Sequence, residues 1–270
     1  LEAIVVRSIR IKEAEEAAKK ARMEKRASNK VAKQALPVQL ADCINAGTNE
    51  NSEIILCEGN SATGAAKLGR VSTEFQAILG LRGKVLNVEK SSFEQLMNSP
   101  AIQRIIISFG TGFGKNFDID KLRYKKIIIM TDADVDGLHI RALLITLFYR
   151  YMRQLVADGY VYAAVPPLYR VIYNKSQSEY LKDDKALQNW KNTHKNITSY
   201  DIQRFKGLGE MNADELKETV LNPANRTLKR ITIDDAKLAE ESLEICMGQE
   251  VTPRRKFIEE NAYSITDINI

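Results

Sequence analysis

Short, unbroken apolar runs stand out in the hydrophobic pattern of this chain: Ile54 to Cys57, Ile105 to Ile107, Ile127 to Met130 and Val161 to Val165. Each is too short for a helix and most are rich in β-branched residues, which predicts strands covered on both faces. After the third run the period changes. Leu138, Ile140, Leu143, Leu144, Leu147 and Met152 recur near a helical repeat, with Arg141, Arg150 and Arg153 interspersed, so strand, acidic turn and helix follow one another. Further helices are predicted through 65–68, over 91–99 and over 236–247. A short strand is expected at Ile231-Thr232-Ile233, and Gln203 to Asn212 should open a second helical region that Asn222-Pro223 breaks. Residues 1–35 read as one exposed helix of strong helix formers, with Glu15–Lys19 and Glu16–Lys20 at i,i+4, ended by Pro37. The order of elements predicts an α/β fold: a parallel sheet flanked by helices, an N-terminal helix and a mostly helical C-terminal tail region. The polar stretch Asn45 to Ser52 and the change of texture past Tyr173 suggest three segments, 1–36, 52–170 and 171–270.

Composition narrows the function classes. The net charge of +5 matches the leading arm, where residues 1–37 hold ten Lys/Arg against five Glu. The rest is near neutral, so any case for nucleic acid rests on local clusters such as Arg82-Gly83-Lys84 and Arg254-Arg255-Lys256. No stretch approaches the ~20 apolar residues of a membrane span. Cys43, Cys57 and Cys246 are widely spaced and form no Cys-x-x-Cys pair, which favours reduced cytoplasmic thiols over disulfides or zinc.

The candidate chemistry lies where two of the apolar runs end. Asp132, Asp134 and Asp136 follow one, Glu58 follows another, and ligands in open α/β sheets gather at the carboxyl ends of strands. Three aspartates on alternate residues repel one another unless a positive charge sits among them. A hard cation such as Mg²⁺ takes oxygen ligands and needs only one or two carboxylates. A calcium loop would place a glutamate where Leu143 stands and would begin from a helix, so it does not fit. A haloacid-type phosphatase also places an aspartate pair after a strand, and an acidic turn with a helix-capping aspartate is the bland alternative. Gly59 and Gly64 have the outer spacing of a Walker loop, but Ala65-Ala66 replaces its Lys-Ser/Thr, which excludes nucleotide binding there. Two histidines, His139 and His194, are too few for a histidine metal site; His139 either packs its helix or meets a phosphate or an acid.

Several motifs then converge. Glu58-Gly59-x-Ser61-Ala62, Leu81-Arg82-Gly83-Lys84, Thr131-Asp132-Ala133-Asp134-Val135-Asp136-Gly137-x-His139-Ile140-Arg141, Pro166-Pro167-Leu168-Tyr169, Lys206-Gly207-Leu208-Gly209-Glu210-Met211 and Pro253-Arg254-Arg255-Lys256-Phe257-Ile258-Glu259-Glu260-Asn261 occur in the order seen in bacterial type IIA DNA topoisomerases. Over nearly its whole length the chain resembles the C-terminal half of their B subunit, in DNA gyrase or in topoisomerase IV, with gyrase favoured. The resemblance implies a TOPRIM core that uses one Glu and an Asp-x-Asp pair to hold Mg²⁺, with Mn²⁺ or Ca²⁺ as substitutes. Carried across, Glu58 and Asp132 ligate the catalytic ion. Asp132 and Asp134 hold a second ion, with Asp136 in support. Arg82, Lys84, Lys206, Arg254, Arg255 and Lys256 are the expected DNA contacts, and Asn60, Ser61 and His139 accompany the site. The resemblance further implies reversible double-strand cleavage by a tyrosine of a partner A subunit, in an A2B2 assembly acting on double-stranded DNA. ATP would bind in an N-terminal domain outside these residues, from whose transducer region residues 1–36 would exit.

The departures are specific. The family motif reads Glu-Gly-Asp-Ser-Ala-Gly-Gly, where this chain has Asn60 and Thr63. Gly80 stands where the family commonly has proline before Leu81-Arg82-Gly83-Lys84, which is expected to loosen that turn. Two further function classes remain open on sequence: a stand-alone TOPRIM nuclease, and a non-catalytic module that binds DNA and a partner subunit.

Overall fold

The computed structural model describes residues 2–48, 50–81, 85–174, 177–234 and 236–262, without the side chains of 2–9, 236 and 237. Arg82 and Lys84 lie outside the described residues. The main sheet contains β1 (Leu40–Ala41), β2 (Glu53–Glu58), β3 (Gln76–Leu81), β4 (Lys126–Met130) and β5 (Val161–Val165). A second, antiparallel sheet holds β6 (Tyr169–Tyr173), β7 (Gln177–Leu181) and β8 (Tyr200–Arg204) in the order β7-β6-β8. The chain then returns to the main sheet with β9 (Thr227–Arg230), giving the order β1-β3-β2-β4-β5-β9. Its four central strands are parallel, while β1 and β9 run antiparallel at the edges.

Helices make the crossovers that parallel strands require. Before the sheet stands α1 (Glu2–Ala32). Then α2 (Asn60–Gly69) joins β2 to β3, α3 (Phe93–Asn98) and α4 (Pro100–Phe109) lead to β4, and α5 (Val135–Tyr151) and α6 (Arg153–Ala157) lead to β5. The small sheet carries α7 (Asp184–Thr193). After β8 come α8 (Ala213–Leu216), which runs into a π-helical turn over Lys217–Leu221, and later α9 (Ala236–Met247) and α10 (Thr252–Asn261). Side chains of successive strand residues point to opposite faces, so Ile54, Leu56, Ile127 and Ile129 enter the core with α4 and α5. Ile55, Cys57, Ile128 and Met130 enter a second core with α2 and the segment around α8. Burial on both faces is why these strands read as unbroken apolar runs.

Among the described side chains of the long first helix, those of its last turns dock. Ala21, Glu24, Ala27, Ser28 and Val31 form a partly covered stripe at helical spacing, with Ser28 and Val31 buried, while residues 10–20 are exposed. The Ser28 hydroxyl donates to Phe113 O at 3.4 Å.

Three expectations need correction. Ile105 to Ile107 is not a strand but the middle of α4, where Ile102, Ile105, Ile106 and Phe109 make a buried i, i+3, i+4, i+7 stripe. Pro100 opens that helix and Gly110, at φ 77°, closes it in the left-handed conformation. The third parallel strand is β3, obscured in sequence by its buried Gln76 and Gly80. Gln203 and Arg204 open no helix; they end β8. The expected strand at Ile231–Ile233 lies earlier, over Thr227–Arg230, and only the Ile231 N–H continues the pairing, to Val161 O at 2.9 Å.

The turn that Gly80 is expected to loosen, Leu81 to Lys84, lies mostly outside the described residues, but Gly80 itself is described. It sits inside buried β3, and a Cβ there would stand 2.8 Å from Thr63 Cγ2 and 2.9 Å from Thr63 Oγ1. Two of the three departures from the family pattern therefore form one packing pair, the Thr63 methyl and hydroxyl occupying the space beside Gly80.

A buried ion pair ties the C-terminal segment to the start of β2. Arg226 donates both Nη atoms to the Glu53 carboxylate at 2.5 and 2.7 Å, and Gln76 Nε2 donates to Glu53 at 2.8 Å. Both charged side chains are about 5% exposed or less (4% for Arg226, 5% for Glu53).

This packing has two measurable consequences. Removing one member of such a pair strands a buried charge, so Arg226→Leu should cost about 3–5 kcal/mol in urea unfolding; a cost below ~1 kcal/mol would show that the pair is not a clamp. Gly80→Ala should lose about 1–3 kcal/mol by overpacking, and Thr63→Ala should recover most of it because only the Thr63 Cβ, at 3.4 Å, would then remain opposite. Additive losses in that double-mutant cycle would contradict the coupling.

Candidate metal centre

The sheet register brings the acidic strand ends together. Strands β2 and β4 are parallel neighbours with Cys57 opposite Met130, so Glu58 and Asp132 emerge at adjacent carboxyl ends, where strands lie about 4.8 Å apart. Glu58 is half-buried, and its Oε2 is buried with no hydrogen-bond partner. Burial pushes its carboxyl above the usual carboxylate range. The charges of Asp132, Asp134 and Asp136 push the same way, and the Asp132 N–H opposes them. Asp132 is raised too, by burial first, with Asp134 and Glu210 adding to it and the Leu208 N–H acting against it. A carboxylate raised in the folded state subtracts stability at neutral pH, and the loss disappears as pH falls below its folded value. This corner of the fold is thus held together despite its own charge.

The other predicted residues fall into groups. Asp134 is exposed and caps α5, its Oδ1 accepting the Gly137 N–H at 2.8 Å; Asp136 is exposed in the first turn of the same helix. Asn60 and Ser61 are exposed at the start of α2, immediately after Glu58. His139 is exposed on α5. Lys206 is exposed on the loop after β8, next to the residues that reach Asp132. The Arg254-Arg255-Lys256 cluster belongs to α10, which packs on α9. There Arg254 is partly committed to structure: its Nε donates to Cys246 O at 2.8 Å and its Nη2 to Gly248 O at 2.7 Å, closing the end of α9. Arg255 and Lys256 are exposed, with Lys256 3.7 Å from Glu260.

Three contributors escaped sequence reasoning. The Leu208 N–H donates to Asp132 Oδ1 at 2.6 Å, Glu210 adds negative charge near Asp132, and Arg141 lies over Thr131. Arg141 Nη2 donates to Thr131 Oγ1 at 3.3 Å, its Nε is buried without a partner, and burial lowers its pKa. For Leu208, the paired glycines of Lys206-Gly207-Leu208-Gly209 were a signal of close backbone approach. Arg141 gave none, since an arginine on an amphipathic helix is ordinarily solvated.

Among the described residues, no group of three or more His, Cys, Asp or Glu side chains is gathered closely enough to hold a metal ion by itself. The donor set that is present consists of oxygens only, with one orphaned buried Glu58 oxygen beside a second raised carboxylate. That set fits a hard cation that keeps most of its waters, and does not fit zinc.

Two regions of the chain match known families. Residues 53–165 match the model of the Toprim domain, and residues 197–259 match that of the DNA gyrase B subunit, carboxyl terminus. The chain is 50% identical over 259 residues to the DNA gyrase B subunit of Clostridium acetobutylicum, covering 95% of this chain and 40% of that protein. It is 47% identical over 268 residues to the DNA gyrase B subunit of Mycoplasma pneumoniae, covering 99% and 41%. With the Thermotoga maritima DNA gyrase B subunit it shares 48% identity over 259 residues, 96% of this chain and 40% of the relative. The chain thus spans about two fifths of the length of these relatives, 40 to 41%. It belongs to the DNA gyrase B-subunit family, of which it carries the Toprim domain and a carboxyl-terminal region.

Proposed function

We propose that this chain is the cleavage-core part of a type IIA topoisomerase B subunit, acting with a gyrase A-type subunit on double-stranded DNA. The observation that carries the reading is the orphaned Glu58 oxygen beside Asp132 at neighbouring strand ends, in a Toprim domain. Glu58 and Asp132 would hold one Mg²⁺, and Asp134, with Asp136 in support, would share a second with Asp132. When bound there, the cation supplies positive charge to phosphate oxygens as charge builds on them. The protein's own residues supply the rest. Exposed Lys206, Arg255 and Lys256, together with Arg82, Lys84 and Arg254, offer cations to DNA phosphates and make binding salt-dependent. The nucleophile is a tyrosine of the partner subunit: a phosphotyrosine bond forms as the bond from phosphorus to the 3′ oxygen breaks, and religation reverses this. Energy from ATP enters through a domain outside these residues. The Clostridium, Mycoplasma and Thermotoga relatives all carry the gyrase name, which favours gyrase over topoisomerase IV. Among the described residues, no helix is long and apolar enough to cross a membrane.

The test combines the B subunit containing this chain with its A partner, DNA and Mg²⁺. Glu58→Ala and Asp132→Ala should lower cleavage at least ~100-fold, since each removes a ligand for the cation. Normal cleavage by both variants would rule out the metal assignment, and cutting by the chain without the A subunit would favour a nuclease. A stability arm reads the same site without catalysis. Mg²⁺ at a hundredfold excess over its Kd should stabilise the chain by about 2.7 kcal/mol. Glu58→Gln should raise the melting temperature in EDTA and diminish the Mg²⁺-induced shift.

A further inference from the structure

Gly207 has no conformational need to be glycine. Its φ of −164° and ψ of 169° are extended values that any residue adopts. What it lacks room for is a side chain: a Cβ would stand 2.9 Å from Asp132 Cγ and Oδ2 and 3.0 Å from Oδ1. The bare backbone lets the next peptide come in, and the Leu208 N–H reaches Asp132 Oδ1 at 2.6 Å. The approach is anchored on both sides. Phe205, Leu208 and Met211 are buried in the core that also holds Ile55, Cys57, Ile128 and Met130, the apolar residues of β2 and β4 just before the acidic ends. The Phe205 N–H donates to Leu168 O at 2.9 Å, and the Lys206 N–H to Glu210 Oε2 at 2.9 Å.

An aspartate at the end of a strand turns freely about its side-chain bonds unless something holds it. Here one oxygen is fixed by a main-chain donor from a segment 76 residues away, which leaves the other oriented. We propose that the Gly207–Leu208 peptide is a positioning element for the Asp132 carboxylate, and that cation binding and docking of this peptide stabilise each other. The inference rests on the reading of Asp132 as a cation ligand. Because linkage is reciprocal, whatever moves the β8 end of the small sheet alters the affinity of the centre, and occupancy of the centre holds that sheet in place.

Gly209 provides an internal comparison. It lies in the same loop, and a Cβ there would meet nothing closer than Ser61 Cβ at 3.7 Å. Either Gly→Ala change restricts the unfolded chain equally, so a difference between them isolates the contact with Asp132. With Mn²⁺ as the probe, titrated by electron paramagnetic resonance against the full chain, Gly207→Ala should weaken binding by about 10–100-fold, the scale of losing a residue that orients a ligand. Gly209→Ala should stay within about 3-fold of the starting protein, there being no such contact to lose. Mn²⁺ binding by Gly207→Ala at the original affinity would overturn the proposal. Asp132→Ala separates the two ideas: if it loses Mn²⁺ while Gly207→Ala retains it, only the positioning role falls. If Asp132→Ala binds Mn²⁺ as before, the ligand reading falls and takes the proposal with it. Should Gly207→Ala fail to fold, amide exchange on the unaltered chain decides. Mn²⁺ should slow exchange of the Leu208 N–H at least ~10-fold, the equivalent of ~1.4 kcal/mol, and an unchanged rate would overturn it.

Discussion

Everything at this site depends on the pairing of β2 with β4. That pairing is driven by apolar burial on both faces of the sheet, and it carries two carboxylates to adjacent strand ends where burial first, and the charge of neighbouring acids after it, raise both. The core imposes the repulsion and the turns cannot relieve it, because Asp134 is engaged as a helix cap and Glu58 Oε2 faces no donor. A bound cation, as proposed above, would balance that charge. Local instability of this kind is expected where a protein holds a site ready for a ligand.

The C-terminal segment is part of the same construction and not an appendage. At one end of the sheet the buried Arg226–Glu53 pair fastens it beneath β2. At the opposite, carboxyl end the Leu208 amide holds Asp132. Between them β9 adds the last strand to the sheet, and Phe205, Met211, Leu216 and Leu221 complete the core under α2. An additional ion-pair hub joins the other face: Arg150 of α5 binds both Glu89 and Glu240, which brings α9 against the helix that follows the aspartates. Segments far apart in sequence therefore meet around α5 and the two acidic strand ends, and a disturbance in the tail reaches the centre through packed contacts.

Much of this was legible in the residues. The strands β2, β4 and β5, the helix following the aspartates and the helix Ala236–Met247 all announce themselves, because uninterrupted apolar runs and 3.6-residue stripes are strong signals. Ile105 to Ile107 misled because three adjacent isoleucines satisfy either period, and the helix appears only when Ile102 and Phe109 are counted with them. Strand β3 was hidden by Gln76, which is satisfied by Glu53 and Leu221, and by Gly80, which makes room for Thr63. Strand β8 was hidden because all five residues are exposed and only two apolar positions, Tyr200 and Ile202, alternate with polar ones. At the site, the acids could be named from sequence, but the amide that orients Asp132 could not, since main-chain donors leave no mark in a sequence beyond the glycine that lets them approach.

The most direct measurement is anomalous diffraction from crystals of the chain soaked in Mn²⁺. The account predicts a peak bridged by Glu58 and Asp132, with the Leu208 N–H still on the second oxygen of Asp132. Density elsewhere, with those two side chains turned apart, would contradict it.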